Sequence, residues 1–122
     1  MAVSRQTYII STDTGEFRTD TGPSFNGAIL QMRWEPGGAD TGGDLEVLLV
    51  NTDTGEAIVV MRDNDCLGSQ FTRAPRQSTH DTGGAPSSEA LIYSAGERLR
   101  VKITPAGVAQ SSGKLTVYID DH

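Results

Sequence analysis

Arg98-Leu99-Arg100-Val101-Lys102-Ile103-Thr104 alternates polar or charged residues with hydrocarbon ones at every step. A strand sends successive side chains to opposite faces, so this run buries Leu99, Val101 and Ile103 and leaves Arg98, Arg100 and Lys102 in water. A helix would scatter the same residues around its circumference, which makes the period decisive. Lys114 to Asp120 repeats the pattern with Leu115, Val117 and Ile119 inward. The run from Ala28 to Trp34 places Leu30, Met32 and Trp34 on one face, with Gln31 and Arg33 on the other. Further strands are expected over residues 7–11, 45–50, 57–62, 69–73 and 90–93, with Leu45, Val47, Leu49, Ile58 and Val60 inward. No segment shows a convincing helical period. The expectation is an all-β, single-domain antiparallel β-sandwich, jelly-roll-like, over residues 1–122.

Composition fits that reading. A chain of 122 residues is the size of one domain and buries roughly two-thirds of its unfolded surface. Its 14 glycines and 5 prolines are scattered, as turns between strands require. No stretch approaches the ~20 apolar residues of a membrane span, so no membrane partner is expected. The opening Met1-Ala2-Val3-Ser4-Arg5 lacks the apolar core of a signal peptide. Cys66 is the single cysteine, which rules out an intrachain disulfide and points to a reducing compartment. A net charge of −6 argues against nucleic acid as the main partner, because phosphate binding needs a positive surface.

The tripeptide Asp-Thr-Gly recurs at residues 13–15, 20–22, 40–42, 53–55 and 81–83. In aspartic proteases this tripeptide carries the catalytic carboxylate, and two copies must meet about 3 Å apart in a buried, apolar-walled site. Here the flanks are mostly polar before the Asp, and Glu16, Pro23, Gly43, Glu56 and Gly84 follow the Gly. None of these is the Ser, Thr or Ala the protease loop uses. The copies are expected to be corners, with Asp53-Thr54-Gly55 closing a hairpin and the rest shaping loops at the sandwich ends.

Two features point to partners. Val47-Leu48-Leu49-Val50 and Ile58-Val59-Val60-Met61 are apolar on both faces. Leu48, Val50, Val59 and Met61 would then form an outer apolar patch. Either a candidate N-terminal arm (residues 1–10), another loop or a neighbouring subunit would cover it. The second feature is the segment 66–88, read as an extended loop holding Phe71, Arg73, Arg76 and His80. Long loops inside small domains are usually recognition elements, and its arginines could dock on an acidic surface.

Catalytic and cofactor signals are thin. His80 and His122 are the only histidines, and Cys66 reads as a small core residue rather than a nucleophile. Asp63-Asn64-Asp65 resembles the start of a calcium loop, but the glycine and distal glutamate of that pattern are missing. No enzyme activity, cofactor or metal is expected.

The order Met32-Arg33-Trp34-Glu35-Pro36, Asp40-Thr41-Gly42-Gly43-Asp44-Leu45, Asn64-Asp65-Cys66-Leu67-Gly68, Arg73 to His80, and Ala95-Gly96-Glu97-Arg98-Leu99-Arg100-Val101-Lys102-Ile103 resembles small structural proteins of tailed bacteriophages. The closing Gly113-Lys114-Leu115-Thr116-Val117-Tyr118-Ile119 resembles them too. Among these, the chain looks like the jelly-roll decoration, or cement, proteins that bind an assembled capsid from outside and brace it. The resemblance implies a virion protein made in the host cytoplasm, with the major capsid protein and copies of itself as partners and a trimer as the candidate oligomer. It carries no catalytic residues. A head–tail connector or tail component shares much of the same support. A carbohydrate-binding sandwich is the rival of another class; it would need an exposed platform from Tyr8, Trp34, Tyr93 or Tyr118.

Overall fold

The computed structural model describes residues 2–12, 16–37, 42–80, 86–107 and 110–121, with the backbone alone described at 78–80 and 86–89. The strands are β1 (Ala2–Ser11), β2 (Arg18–Pro36), β3 (Asp44–Val50), β4 (Ala57–Asp63), β5 (Phe71–Arg73), β6 (Arg76–His80), β7 (Pro86–Thr104) and β8 (Ser112–Asp121). No helix occurs among the described residues. Every pairing is antiparallel, in the order β1-β8-β2-β7-β3-β4, with β5 added to β2 and β6 to β7.

The length of β2 and β7, 19 residues each, turns this path into a sandwich. Residues 18–24 of β2 run beside 98–103 of β7, whereas 27–36 of β2 run beside β8. In β7, residues 92–95 stay with β2 and 98–104 pair with β3. One layer is therefore β1, β8, the C-terminal half of β2 and the N-terminal half of β7. The other is the N-terminal half of β2, the C-terminal half of β7, β3 and β4. Each long strand crosses from layer to layer, giving a jelly-roll order in which two pairs of strands are merged. Strands that change sheets need a bend or bulge. The register of β2 on β7 shifts on both sides of Ser24, and Gly27 (φ 139°) and Gly96 (φ 85°) supply the positive φ at the crossings.

The inward faces make one core. Met32, Trp34, Leu45, Val47, Leu99, Val101, Ile103, Leu115 and Val117 are fully buried in it, as their alternation requires. Trp34 brings a polar atom inside, and its Nε1 donates to the Leu67 carbonyl at 2.9 Å. Leu67 is itself buried, because the turn before β5 folds over the core: the Cys66 and Leu67 N–H groups donate to the Gly43 carbonyl at 2.9 and 3.3 Å.

Several expectations need correcting. Leu30 is only half-buried and Ile29 takes the core position, because a bulge between Ile29 and Gln31 shifts the phase against β8. Asp20-Thr21-Gly22 is no corner; it lies inside β2, opposite Val101 and Arg100. The N-terminal residues are not a free arm, since β1 pairs with β8 without a break from Ala2↔Asp121 to Ser11↔Ser112. The segment 66–88 is not one loop: it contains β5, β6 and the start of β7, and β6 pairs with β7. The hairpin at Asp53-Thr54-Gly55 is present, with Gly55 at φ 78° donating its N–H to the Asn51 carbonyl at 2.8 Å. Asn51 Oδ1, rather than the Asp, accepts from the Asp53 and Thr54 N–H groups at 3.0 and 3.3 Å. The copies at 13–15 and 81–83, and Asp40-Thr41, lie outside the described residues.

Candidate functional site

A two-layer sandwich has two open sides. On one, β1 faces the N-terminal half of β2, and Gln6 Nε2 donates to the Pro23 carbonyl at 3.3 Å. On the other, the end of β4 meets β5, where Arg73 Nε lies 3.0 Å from Asp63 Oδ2. Most of the expected contact residues belong to this second side.

A bulge decides which of them reach solvent. Val47 is opposite Met61 and Leu48 is opposite Val59, so Val60 is the extra residue on β4. Val60 and Met61 consequently both turn inward and are buried. Of the four residues expected to form an outer patch, Met61 and Val50 are core, Leu48 is half-buried and Val59 is 49% exposed. Ile58, expected inside, is 51% exposed, because its strand is the last of the layer. Ile58 lines a groove of about 190 Å³ with Leu49, Asn51, Glu56, Ala57 and Glu97. The N-terminal residues do not cover this surface; β1 stands at the opposite end of the strand order.

Beyond Asp63 the surface continues onto β5. Phe71 packs half-buried against the core, and the Arg73 guanidinium carbon sits 4.7 Å from its ring centroid. Arg73 and Asp63 meet at ion-pair distance without hydrogen-bond angles, so the arginine is tethered rather than free to reach outward. Arg76 folds back on the main chain, with Nη1 donating to the Pro75 carbonyl at 2.8 Å. The backbone of His80 ends β6, and its side chain lies outside the described residues.

The Asp63-Asn64-Asp65 run is occupied with structural work. Asp63 holds Arg73, and the Asp65 N–H, at a left-handed φ of 54°, donates to Asp44 Oδ1 at 3.0 Å. Among the described residues no group of three or more His, Cys, Asp or Glu is placed to hold a metal ion. Cys66 is half-buried against the core, with its Sγ 3.4 Å from the Asp63 carbonyl. Burial first, and then the Asp63 charge, pushes its thiol from 9.0 up to about 11. We expect iodoacetamide at pH 8 to alkylate Cys66 roughly a hundredfold more slowly in the folded chain than in urea. Equal rates would show that the thiol is not shielded.

Sequence reasoning assigned no role to three other exposed apolar side chains: Val3 (56%), Ile9 (81%) and Phe17 (61%). For Val3 and Ile9 the signal was the period-two pattern of residues 2–11, which puts both on the outer face of β1. Phe17 is capped by Lys102, whose Nζ lies 4.5 Å from the ring centroid. The aromatics proposed for sugar stacking do not make a platform: Trp34 and Tyr8 are buried, Tyr118 is half-buried and Tyr93 alone is exposed.

Fold and surface together define an all-β jelly-roll sandwich with an apolar and charged edge at β4 and β5. No protein-family model matches the chain, and no curated protein matches its sequence. Among solved structures it is similar to the Yersinia pseudotuberculosis-derived mitogen, at a TM-score of 0.51 and 12% identity over 98% of this chain and 89% of that one. It is also similar to Aeromonas hydrophila PliG, a periplasmic lysozyme inhibitor of g-type lysozyme (TM-score 0.48, 17% identity, 95% and 86% covered). A third likeness is to infectious bursal disease virus, Gt strain (TM-score 0.45, 16% identity), where 97% of this chain spans 33% of the viral one. At such identities the likeness is one of fold.

Proposed function

We propose that this chain is a non-enzymatic structural protein of a tailed-phage virion. It binds the outer capsid lattice as a decoration protein and braces it. The observation that carries the contact site is the β4–β5 side, where Ile58 and Val59 are exposed on the strand that ends at the Asp63–Arg73 pair and β5 adds Phe71. An edge with apolar side chains at its middle and tethered charges at its rim is the kind of surface that larger assemblies cover. The resemblance of the motif order to phage structural proteins points to the partner class, the major capsid protein. The acidic chain and the absence of an aromatic platform among the described residues favour this partner over nucleic acid or polysaccharide.

Co-sedimentation with purified phage heads tests the reading. The native chain should pellet with heads and stay in solution with insoluble polysaccharide. Val59→Asp keeps the fold, because the side chain is half in water, yet should weaken head binding by about tenfold or more. Binding that is indifferent to Val59→Asp would remove β4 from the interface. Pelleting with polysaccharide and not with heads would replace this function by the carbohydrate-binding one.

A further inference from the structure

The first open side of the sandwich ends in a strand that, among the described residues, no pairing blunts. β1 is ten residues long, carries neither proline nor bulge, and has Arg5 as its one charge. Its inner partner is β8, and no strand pairs with its other edge among the described residues. β4 has a bulge and ends in Arg62-Asp63, devices that discourage strand addition; β1 lacks them.

The ladder fixes which groups are on offer. The Thr12 N–H donates to the Ser111 carbonyl, continuing the register of Ser11↔Ser112, so the even-numbered residues of β1 bond to β8. The N–H and C=O groups of Val3, Arg5, Thr7 and Ile9 therefore point along the sheet to the free edge. The side chains of these four residues stand together on the exposed outer face.

We propose that a second copy of the chain adds to this edge by antiparallel β1–β1 pairing about a two-fold axis at Gln6. That register sets Val3 opposite the Ile9 of the other copy and Arg5 opposite its Thr7, with roughly eight main-chain hydrogen bonds across the seam. Val3 and Ile9, at 56% and 81% exposure, cover one another twice. Moving the axis to Arg5 stacks Arg5 on itself, and moving it to Thr7 sets Arg5 against Ile9. The sequence is thus self-complementary in the Gln6 register and in neither adjacent one. The two sheets become continuous, and the β4–β5 sides of both copies stay open. The pairing needs no capsid, so it stands or falls separately from the head-binding function.

Sedimentation equilibrium of the purified chain tests it. The native protein should be a dimer that dissociates on dilution. Thr7→Pro removes an edge N–H without touching the β1–β8 ladder, and should raise the dimer dissociation constant by about a hundredfold or more while the circular dichroism is unchanged. Gln6→Cys, made with Cys66→Ser, should form an interchain disulfide, since axial non-bonded pairs lie about 4.5 Å apart between Cα atoms. A native chain that stays monomeric at every concentration overturns the proposal, as does a dimer unaffected by Thr7→Pro. If Thr7→Pro does not fold, the cysteine variant decides, and failure to cross-link overturns it.

Discussion

Trp34→Ala is expected to destabilise the domain by about 3–5 kcal/mol, a fall in melting temperature of roughly 12–20 °C. The side chain is fully buried at the centre of the core, and its ring packs so closely on Gly113 that a Cβ there would run into it. Removing the indole leaves a cavity between the layers and strands the Leu67 carbonyl that Nε1 now satisfies. Loss of that bond would also loosen the turn that seats Leu67 in the core. Trp34→Phe keeps most of the ring and isolates the polar part of the effect, with a smaller loss of about 1–3 kcal/mol. Thermal denaturation of both variants checks the ranking. Equal losses would mean that the hydrogen bond, and not the cavity, dominates.

Gly27→Ala should be nearly as damaging, at about 3 kcal/mol or more, although it adds only a methyl group. Gly27 has φ 139°, where an L side chain is strained, and its Cβ would collide with the Asp120 main-chain carbonyl on β8. The residue sits where β2 passes from one layer to the other, so relief would require parting β2 from β8. Gly55→Ala is the control. Its φ is 78°, but nothing lies within 4 Å of the new Cβ, so strain alone should cost about 1 kcal/mol. Chemical denaturation of the pair separates the two costs. Equal losses would show that the crossing at Gly27 tolerates a side chain.

Legibility of the fold followed periodicity. Where the period is strict, as at Arg98–Thr104 or Lys114–Asp120, the alternation placed Leu99, Val101, Ile103, Leu115, Val117 and Ile119 in the core, although Thr116 and Asp120 on the other face of β8 are buried too. It failed where a bulge changes the phase. The extra residues Leu30 and Val60 moved Ile29 and Met61 into the core. It also failed where a strand carries turn residues: Asp20-Thr21-Gly22 reads as a corner, yet its extended backbone pairs with β7. Gly22 is needed there for space, since a Cβ would meet the Tyr8 side chain. That requirement comes from a partner far away in sequence and leaves no local trace.

The candidate contact surface was legible only in part, for the same reason. Val59 is exposed on β4 and Arg73 is held beside Asp63 at that strand's end, but the ion pair joining β4 to β5 depends on layer stacking. The exposed face of β1 was readable from Val3-Ser4-Arg5-Gln6-Thr7-Tyr8-Ile9, once β8 was known to occupy its other edge.

The proposed capsid-decoration function meets its most direct test in the protein content of gradient-purified virions. The account predicts this chain there in a fixed ratio to the major capsid protein, on the outside of the head. Intact virions that wholly lack the chain would contradict it.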